Sequence, residues 1–342
     1  NAGANGDSRF NKATVTQTTN DQEGTINQNN NSGYNTAEII QLNSPNGSDN
    51  DATINQNNNS GGSISDGNTA KITQDGIDHD AFVDQNGNGA GGNFSKKNKA
   101  TVDQTGEDHL ANVSQNAGSL GNSDGNEAKV KQVGIIDGNP SHEATISQSD
   151  NSIGNLADVD QAGDNQKATV NQNGGALGFS NSNEAFVKQT GATQTATVNQ
   201  NDNSDDNLAN VDQSGSGNTA MVDQIEGAKN NDALVTQSGT TGTATVRQWR
   251  GATDGLADIK QSGTSNNAAI YQDAGSNADA TGVGNEARID QMTTGSGNNA
   301  FIHQGNEFAP YPAGPAVSND NYAKIKQDGS TNTAKLWQVG DL

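Results

Sequence analysis

The five-residue unit Ala-x-Val/Ile-x-Gln recurs along the whole chain and constrains the fold more than any other feature. Its Gln falls at 24 positions, from Gln17 to Gln338. Ala stands four residues before it in 23 copies, Gly24 being the exception. Val or Ile stands two before it in 23, Leu336 being the exception. A polar residue usually precedes the Ala by two, as in Asn98-Lys-Ala100-Thr-Val102-Asp-Gln104. A period of two puts Asn, Ala, Val and Gln on one face of a strand and the intervening Thr, Asp, Lys, Asn or Ser on the other. The spacing therefore predicts half-buried strands whose inward face ends in amides at both sides.

The Gln-to-Gln distances sort these strands into twelve pairs. Within a pair the distance is 11 in nine of the twelve, and between pairs it is never 11. The short connection, as in Thr105-Gly106-Glu107-Asp108, has Gly at its second residue in nine pairs, which suits a turn needing positive φ. The longer connections carry Gly, Asn, Ser and Asp. All five prolines lie outside the strand units, where a missing N–H does no harm. The expected fold is all-β: a flattened parallel β-solenoid of strand-turn-strand repeats, cross-β in character, with about twelve coils. With a rise of about 4.8 Å per coil the rod would be about 58 Å long. The expected division is a flexible segment over 1–10, the solenoid over 11–338 with a proline-containing insertion at 305–320, and a tail over 339–342.

Composition matters because, taken by itself, it argues against folding. Only 29% of residues are hydrophobic and 4% aromatic, and the net charge is -22, close to the disordered class. Amide ladders resolve the conflict. Stacked at the coil rise, each amide NH2 meets the carbonyl oxygen of the next coil, so a buried polar row satisfies itself along the axis. The rows are exemplified by Asn98, Gln104, Gln115, Asn126, Gln132, Asn183, Gln189 and Gln200. The same arithmetic argues against a conventional enzyme core, and so acidic a chain is a poor partner for nucleic acid. No apolar run approaches the roughly 20 residues of a membrane-spanning helix, so membrane insertion is not expected. There is no Cys to form disulfides or thiolate metal sites. If the protein is secreted, its signal is absent from this sequence.

The repeat Asn-x-Ala-x-Val-x-Gln-x-Gly-x-x-(Gln/Asn/His)-x-Ala-x-Val-x-Gln resembles the curlin repeat of curli subunits, the extracellular amyloid fibres of bacterial biofilms. Residues Asn98 to Gln115 and Asn183 to Gln200 show the full pattern, and the resemblance runs from about Asn11 to Gln338. It implies a major fibre subunit with an expanded repeat set, exported through an outer-membrane curli secretion pore and working with a minor nucleator subunit. The implied function is self-assembly into fibres for biofilm matrix and surface adhesion.

The residues alone also point to polymerisation. Unpaired strand edges recruit other strands unless capped, and both terminal coils keep the full inward pattern. Asn11, Ala13, Val15 and Gln17 form one expected assembly edge; Asn332, Ala334, Leu336 and Gln338 form the other. Outward charges alternate in sign from coil to coil (Glu38, Lys71, Asp103, Lys129/Lys131, Asp158/Asp160, Lys188, Asp212), which would set register against a slipped coil.

No constellation for chemistry emerges, and the chain is read as neither an enzyme nor a cofactor binder. His79, His109 and His142 occupy one repeat position and read as ladder variants. His303 reads as an outward strand residue. Asp202-x-Ser204-x-Asp206 opens like a calcium loop but lacks its later ligands. The outward aromatics Phe82, Phe186, Tyr271, Phe301, Trp337 and Trp249 look too scattered for a binding platform. A non-polymerising solenoid adhesin or surface stalk, or less readily an ice-binding solenoid, would use the same fold.

Overall fold

The computed structural model describes residues 10–29, 34–42, 49–57, 67–87, 95–117, 121–134, 141–174, 178–273, 282–292, 296–305 and 321–338. Most of the expected flexible start, the insertion beyond Gly305 and the tail at 339–342 lie outside them. Two compact units, 1–182 and 183–342, are treated in turn.

The class is all-β, a solenoid of parallel stacked strands. In unit 1 the first strands of the pairs build one sheet: Lys12–Gln17, Thr36–Leu42, Thr69–Ile77, Lys99–Glu107, Glu127–Val133 and Leu156–Asp164, neighbours in that order. The second strands build another: Glu23–Asn27, Asp51–Asn55, Asp80–Asp84, Leu110–Ser114, Glu143–Ser147 and Lys167–Asn171. Unit 2 repeats the scheme. Its first sheet holds Glu184–Ala192, Leu208–Ser216, Asp232–Gln237, Leu256–Gln261, Glu286–Gln291 and Tyr322–Gln327. Its second holds Thr195–Asn199, Thr219–Ile225, Thr243–Trp249, Asn267–Asp273, Asn299–Gln304 and Thr333–Gln338. Within each unit the pairing is in register, Ala on Ala, Val or Ile on Val or Ile, and Gln on Gln, as in Ala100↔Ala128, Val102↔Val130 and Gln104↔Gln132.

The alternation sets the burial. Ala100, Val102, Ala111 and Val113 are all buried, and so are Ala209, Val211, Ala220 and Val222 in unit 2. Burying a Val or Ile contributes about 1.5–3 kcal/mol. Ala contributes less but lets the two sheets approach.

The return connections hold a structure not read from the sequence. In unit 1 Ser95–Lys96, Ser123–Asp124, Ser152–Ile153 and Ser180–Asn181 pair into a small third sheet. Each Ser is buried and stands three residues before the Asn that opens the next strand. Ser95 Oγ donates to Gln115 O at 2.8 Å and accepts from Asn98 Nδ2 at 3.0 Å. In unit 2 Ala252–Thr253 and Gly282–Val283 pair at the same corner.

At the opposite corner the turn glycines are stacked in contact. Gly215 has φ 93°, and a Cβ there would fall 2.1 Å from Gly239 O. Gly297 has φ 66° in the same unit, but a Cβ there would meet nothing closer than 3.8 Å. Gly297→Ala should therefore cost only the left-handed backbone penalty, about 1–2 kcal/mol. Gly215→Ala adds a clash with rigid backbone and should lower the denaturation midpoint clearly more. Equal midpoints for the two variants would refute the close stacking.

Candidate functional site: amide ladders and open edges

The inward Gln rows form four unbroken ladders. In unit 1 Gln17 Nε2 donates to Gln41 Oε1 at 2.8 Å, Gln41 to Gln74 at 2.9 Å, Gln74 to Gln104 at 3.1 Å, Gln104 to Gln132 at 3.0 Å and Gln132 to Gln161 at 3.0 Å. The second-sheet row runs in the same sense from Gln28 through Gln56, Gln85, Gln115 and Gln148 to Gln172. In unit 2 the rows run from Gln189 to Gln327 and from Gln200 to Gln338, again each donating to the next coil. Every ladder is thus polar, oxygen toward the N-terminal side and NH2 toward the C-terminal side.

Each amide also ties the two sheets together. Gln104 Nε2 lies 2.9 Å from His109 O and 3.0 Å from Asp80 O, both on the facing sheet. A fully buried amide left unpaired would cost about 1–3 kcal/mol, so the ladder is a condition of burying these rows.

The Asn row works differently from the expected amide-to-amide ladder. Asn98 N donates to Asn68 Oδ1 at 3.0 Å and Asn126 N to Asn98 Oδ1 at 2.9 Å, so each carboxamide oxygen caps the backbone N–H of the next coil. The NH2 turns to the return corner instead, as from Asn98 Nδ2 to Ser123 O at 3.0 Å and from Asn183 Nδ2 to Ser204 O at 2.8 Å. Asn is one methylene shorter than Gln and sits where the chain bends. Its amide therefore reaches backbone before it reaches its neighbour, although Asn126 Nδ2 also donates to Asn98 Oδ1 at 3.2 Å.

His79, His109 and His142 stack in that position of the second sheet. Ring centroids are 5.0 and 4.6 Å apart. His109 N donates to His79 Nδ1 at 3.3 Å, His142 N to His109 Nδ1 at 3.4 Å, and Gln166 N to His142 Nδ1 at 3.3 Å. With Nδ1 accepting, the proton must sit on Nε2, which in His109 faces Thr105 O at 3.1 Å. The stack is a neutral ladder that mimics the Asn oxygen. Burial lowers His79 to about 4, against the partial opposition of Asp75 O and the charge of Asp78. Burial also lowers His142, opposed by Val133 O and Asp164. Among the described residues no group of three or more His, Asp or Glu is placed to hold a metal ion.

The outward charges make ion pairs between coils at two of the expected places, Lys71–Glu38 at 3.5 Å and Lys131–Asp160 at 3.8 Å, and at Lys324–Asp290 at 3.5 Å, outside the expected series. Strand starts add Lys99–Glu127 at 3.0 Å and Lys167–Glu143 at 2.9 Å, which the alternation did not reveal. The hydrogen bond from Lys99 is the largest cause holding Glu127 below the usual carboxylate range. Arg288 bonds to Glu286 on its own strand, although its register partner is Asp258.

Four of the expected outward aromatics, all in unit 2, are gathered and not scattered. Trp249 meets Tyr271 edge-on at 5.7 Å, Tyr271 meets Phe301 at 5.2 Å, and Phe301 meets Trp337 at 5.1 Å. Trp249 closes its strand, buried beneath Arg247, whose guanidinium lies 4.8 Å from the ring centre. His303 is buried and stands edge-on to Trp337 at 5.3 Å. Coil stacking converts a separation of one repeat into van der Waals contact.

At the first described coil the inward residues are open. Val15 is 43% exposed, and Ala13 and Gln17 are exposed, whereas their equivalents Ile39, Ala37 and Gln41 one coil further in are buried. Ala334, Leu336 and Gln338 are likewise only half-buried at the last described coil, and Asn332 is exposed.

A family model described as the curlin associated repeat matches residues 205–239 and 252–281, both in unit 2. No curated protein matches the chain. The matched stretches take in the strands around Gln213, Gln224, Gln237, Gln261 and Gln272, so the repeat that the model describes coincides with the ladder-bearing coils.

Two outcomes are expected. As pH falls from about 6.5 to about 4, the unfolded chain takes up protons that folded His79 refuses, so stability must drop across that window, by about 3 kcal/mol for His79 alone. Replacing all three histidines by Gln, the residue already present at Gln166 and Gln194, should flatten this part of the denaturant midpoint against pH. An unchanged pH profile would remove the stack as its cause. Separately, Lys131→Glu should slow folding or assembly at low salt and recover at high salt, because the reversed charge faces Asp160; its size should not exceed about 1 kcal/mol.

Proposed function

We propose that this chain is a curli-like structural subunit that self-assembles head-to-tail into extracellular amyloid fibres serving biofilm matrix and adhesion. The matched curlin-associated repeats and the solenoid support that class, whose members are structural and not known as enzymes. The observation that carries head-to-tail growth is the common polarity of the Gln ladders. At one open edge Gln17 and Gln28 offer amide oxygens. At the other Gln327 and Gln338 offer amide N–H groups that, among the described residues, donate to the backbone carbonyls Asn299 O and Tyr322 O. An edge of donors placed on an edge of acceptors in register continues every row, buries Val15 and Leu336, and pairs unsatisfied strand N–H and C=O groups. A donor edge cannot extend another donor edge in the same way, so growth should be polar. The expected partners are further copies of the chain, a minor nucleator subunit and an outer-membrane secretion pore, and the site of action is the cell exterior.

Replacing Val15 and Gln17 by Pro removes backbone N–H groups that face the open edge, and replacing Leu336 and Gln338 by Pro removes the Gln338 amide donor and loosens the last coil from the one before it. Each double variant should stop elongation of wild-type seeds while its interior coils still give β-type circular dichroism. Fibre growth at the wild-type rate, followed by thioflavin fluorescence and electron microscopy, would overturn end-to-end assembly.

A further inference from the structure

The two broad faces of the solenoid are chemically unlike. In unit 1 the outward positions between inward Ala, Val and Gln carry seven charges on the first sheet, and one, Asp84, on the second. Those two central rows of the second sheet otherwise present Thr, Asn and Ser with Phe82, which is 38% exposed, and the remaining charges of that face stand at the strand starts, on Glu23, Asp51, Asp80, Glu143 and Lys167. In unit 2 the same rows carry Thr197 and Asn199, Met221 at 38% exposure, the paired Asp223 and Arg247 at 4.0 Å, Lys335, and the aromatic chain ending in Trp337 at 50%. In a chain of net charge -22 central rows so poor in charge, in unit 1 above all, are an exception.

We infer that the second-sheet face is a lateral interface that pairs with the same face of a second copy of this chain, about a two-fold axis parallel to the solenoid axis. That operation keeps coil against coil and swaps the two outward rows. Thr53 then meets Asn55 of the second copy, Thr145 meets Ser147 and Thr169 meets Asn171, hydroxyl against amide or hydroxyl. Ala269 meets Tyr271, small against large, and Lys335 meets the face of Trp337, a cation–π pair. Applied to the first sheet, the operation sets Lys129 against Lys131, Asp158 against Asp160 and Lys324 against Lys326, like charge on like charge. The choice of face is therefore built into the outward rows.

The face can also be dried. Asn27 Nδ2 donates to Asn55 Oδ1 at 2.9 Å and Asn55 Nδ2 to Asp84 Oδ1 at 2.9 Å; in unit 2 Asn199 Nδ2 donates to Asp223 Oδ1 at 2.7 Å. These outward amides are satisfied along the axis, so a facing sheet strands fewer polar groups when water leaves. The area is sufficient. Six strands spaced by about 4.8 Å and about 17 Å long give about 500 Å² for one unit on each copy, or about 1,000 Å² in total for a single pair of units, the threshold of specific interfaces.

The pairing uses a surface separate from the coil edges, so it can be tested apart from growth along the axis. Mass per length of wild-type fibres, by scanning transmission electron microscopy, should be twice that of a single solenoid. Thr145→Lys/Ser147→Lys should halve it, and Thr169→Lys/Asn171→Lys provides a second variant on the same face. Leu234→Lys/Thr236→Lys, on the first sheet, should leave the doubled value. A cross-β reflection at about 4.8 Å verifies that each variant has folded. Single-solenoid mass in the wild type, or doubled mass in both second-sheet variants, would overturn the inference. If the chain forms no fibres, sedimentation decides: a dimer abolished by the second-sheet changes upholds the pairing and rejects axial assembly, and a wild-type monomer rejects the pairing.

Discussion

The hydrogen bond between the side-chain amides of one Gln and the next holds the rest of the structure in place. It requires its partners to be about one strand spacing apart, equivalent in position and identical in orientation. Those demands fix parallel, in-register stacking before any apolar contact is considered. The chain separation across a rung varies from 24 residues between Gln17 and Gln41 to 36 between Gln291 and Gln327, yet both bonds are 2.8 Å long. Insertions must therefore leave through the connections, because a one-residue slip in a strand would turn the Gln outward and strand the amides on both sides.

The same ladder explains how so little apolar material suffices. A conventional core would need large side chains to exclude water from between the sheets. Here Ala and Val fill a thin core, and the amides at its margins are bonded along the axis and across to the facing backbone. Substituents tolerated at the margins obey the same rule. The neutral His stack presents Nδ1 where Asn presents Oδ1, and it holds only while the rings stay uncharged. Protonation would remove the acceptor and set cations about 5 Å apart in a buried row.

One inward pattern serves two outward faces. Nothing in Ala-x-Val-x-Gln decides what the intervening residues are, so the first sheet can carry alternating charges while the second carries Thr, Asn and aromatics. Charge on one face favours solvent and register; its scarcity on the other leaves a surface suited to contact. Polarity along the axis is a separate property, set by the common direction of the amides.

Much of this was legible in the chain because a strand period of two and a fixed Gln spacing translate directly into inward rows, as Ala100, Val102 and Gln104 illustrate. The turn glycines were legible for the same reason, since a connection of four residues leaves few conformations. Other features were hidden because they depend on distances between coils or on reach within a corner. The repeat placed Asn98 inward but could not show that its oxygen would cap Asn126 N, and it gave no notice that Ser95 and Ser123 would build a third sheet, although Ser three residues before Asn was available as a signal. Trp249, Tyr271, Phe301 and Trp337 sit at three different offsets from their Gln, so they appeared unrelated until stacking brought them into contact. The sequence by itself determined the strands, their inward faces and their register, because periodicity and amide pairing are local and repetitive. Only the tertiary structure decided which corner groups meet, which way the ladders run and which charges of successive coils come into contact, because those depend on how successive coils lie on one another in space.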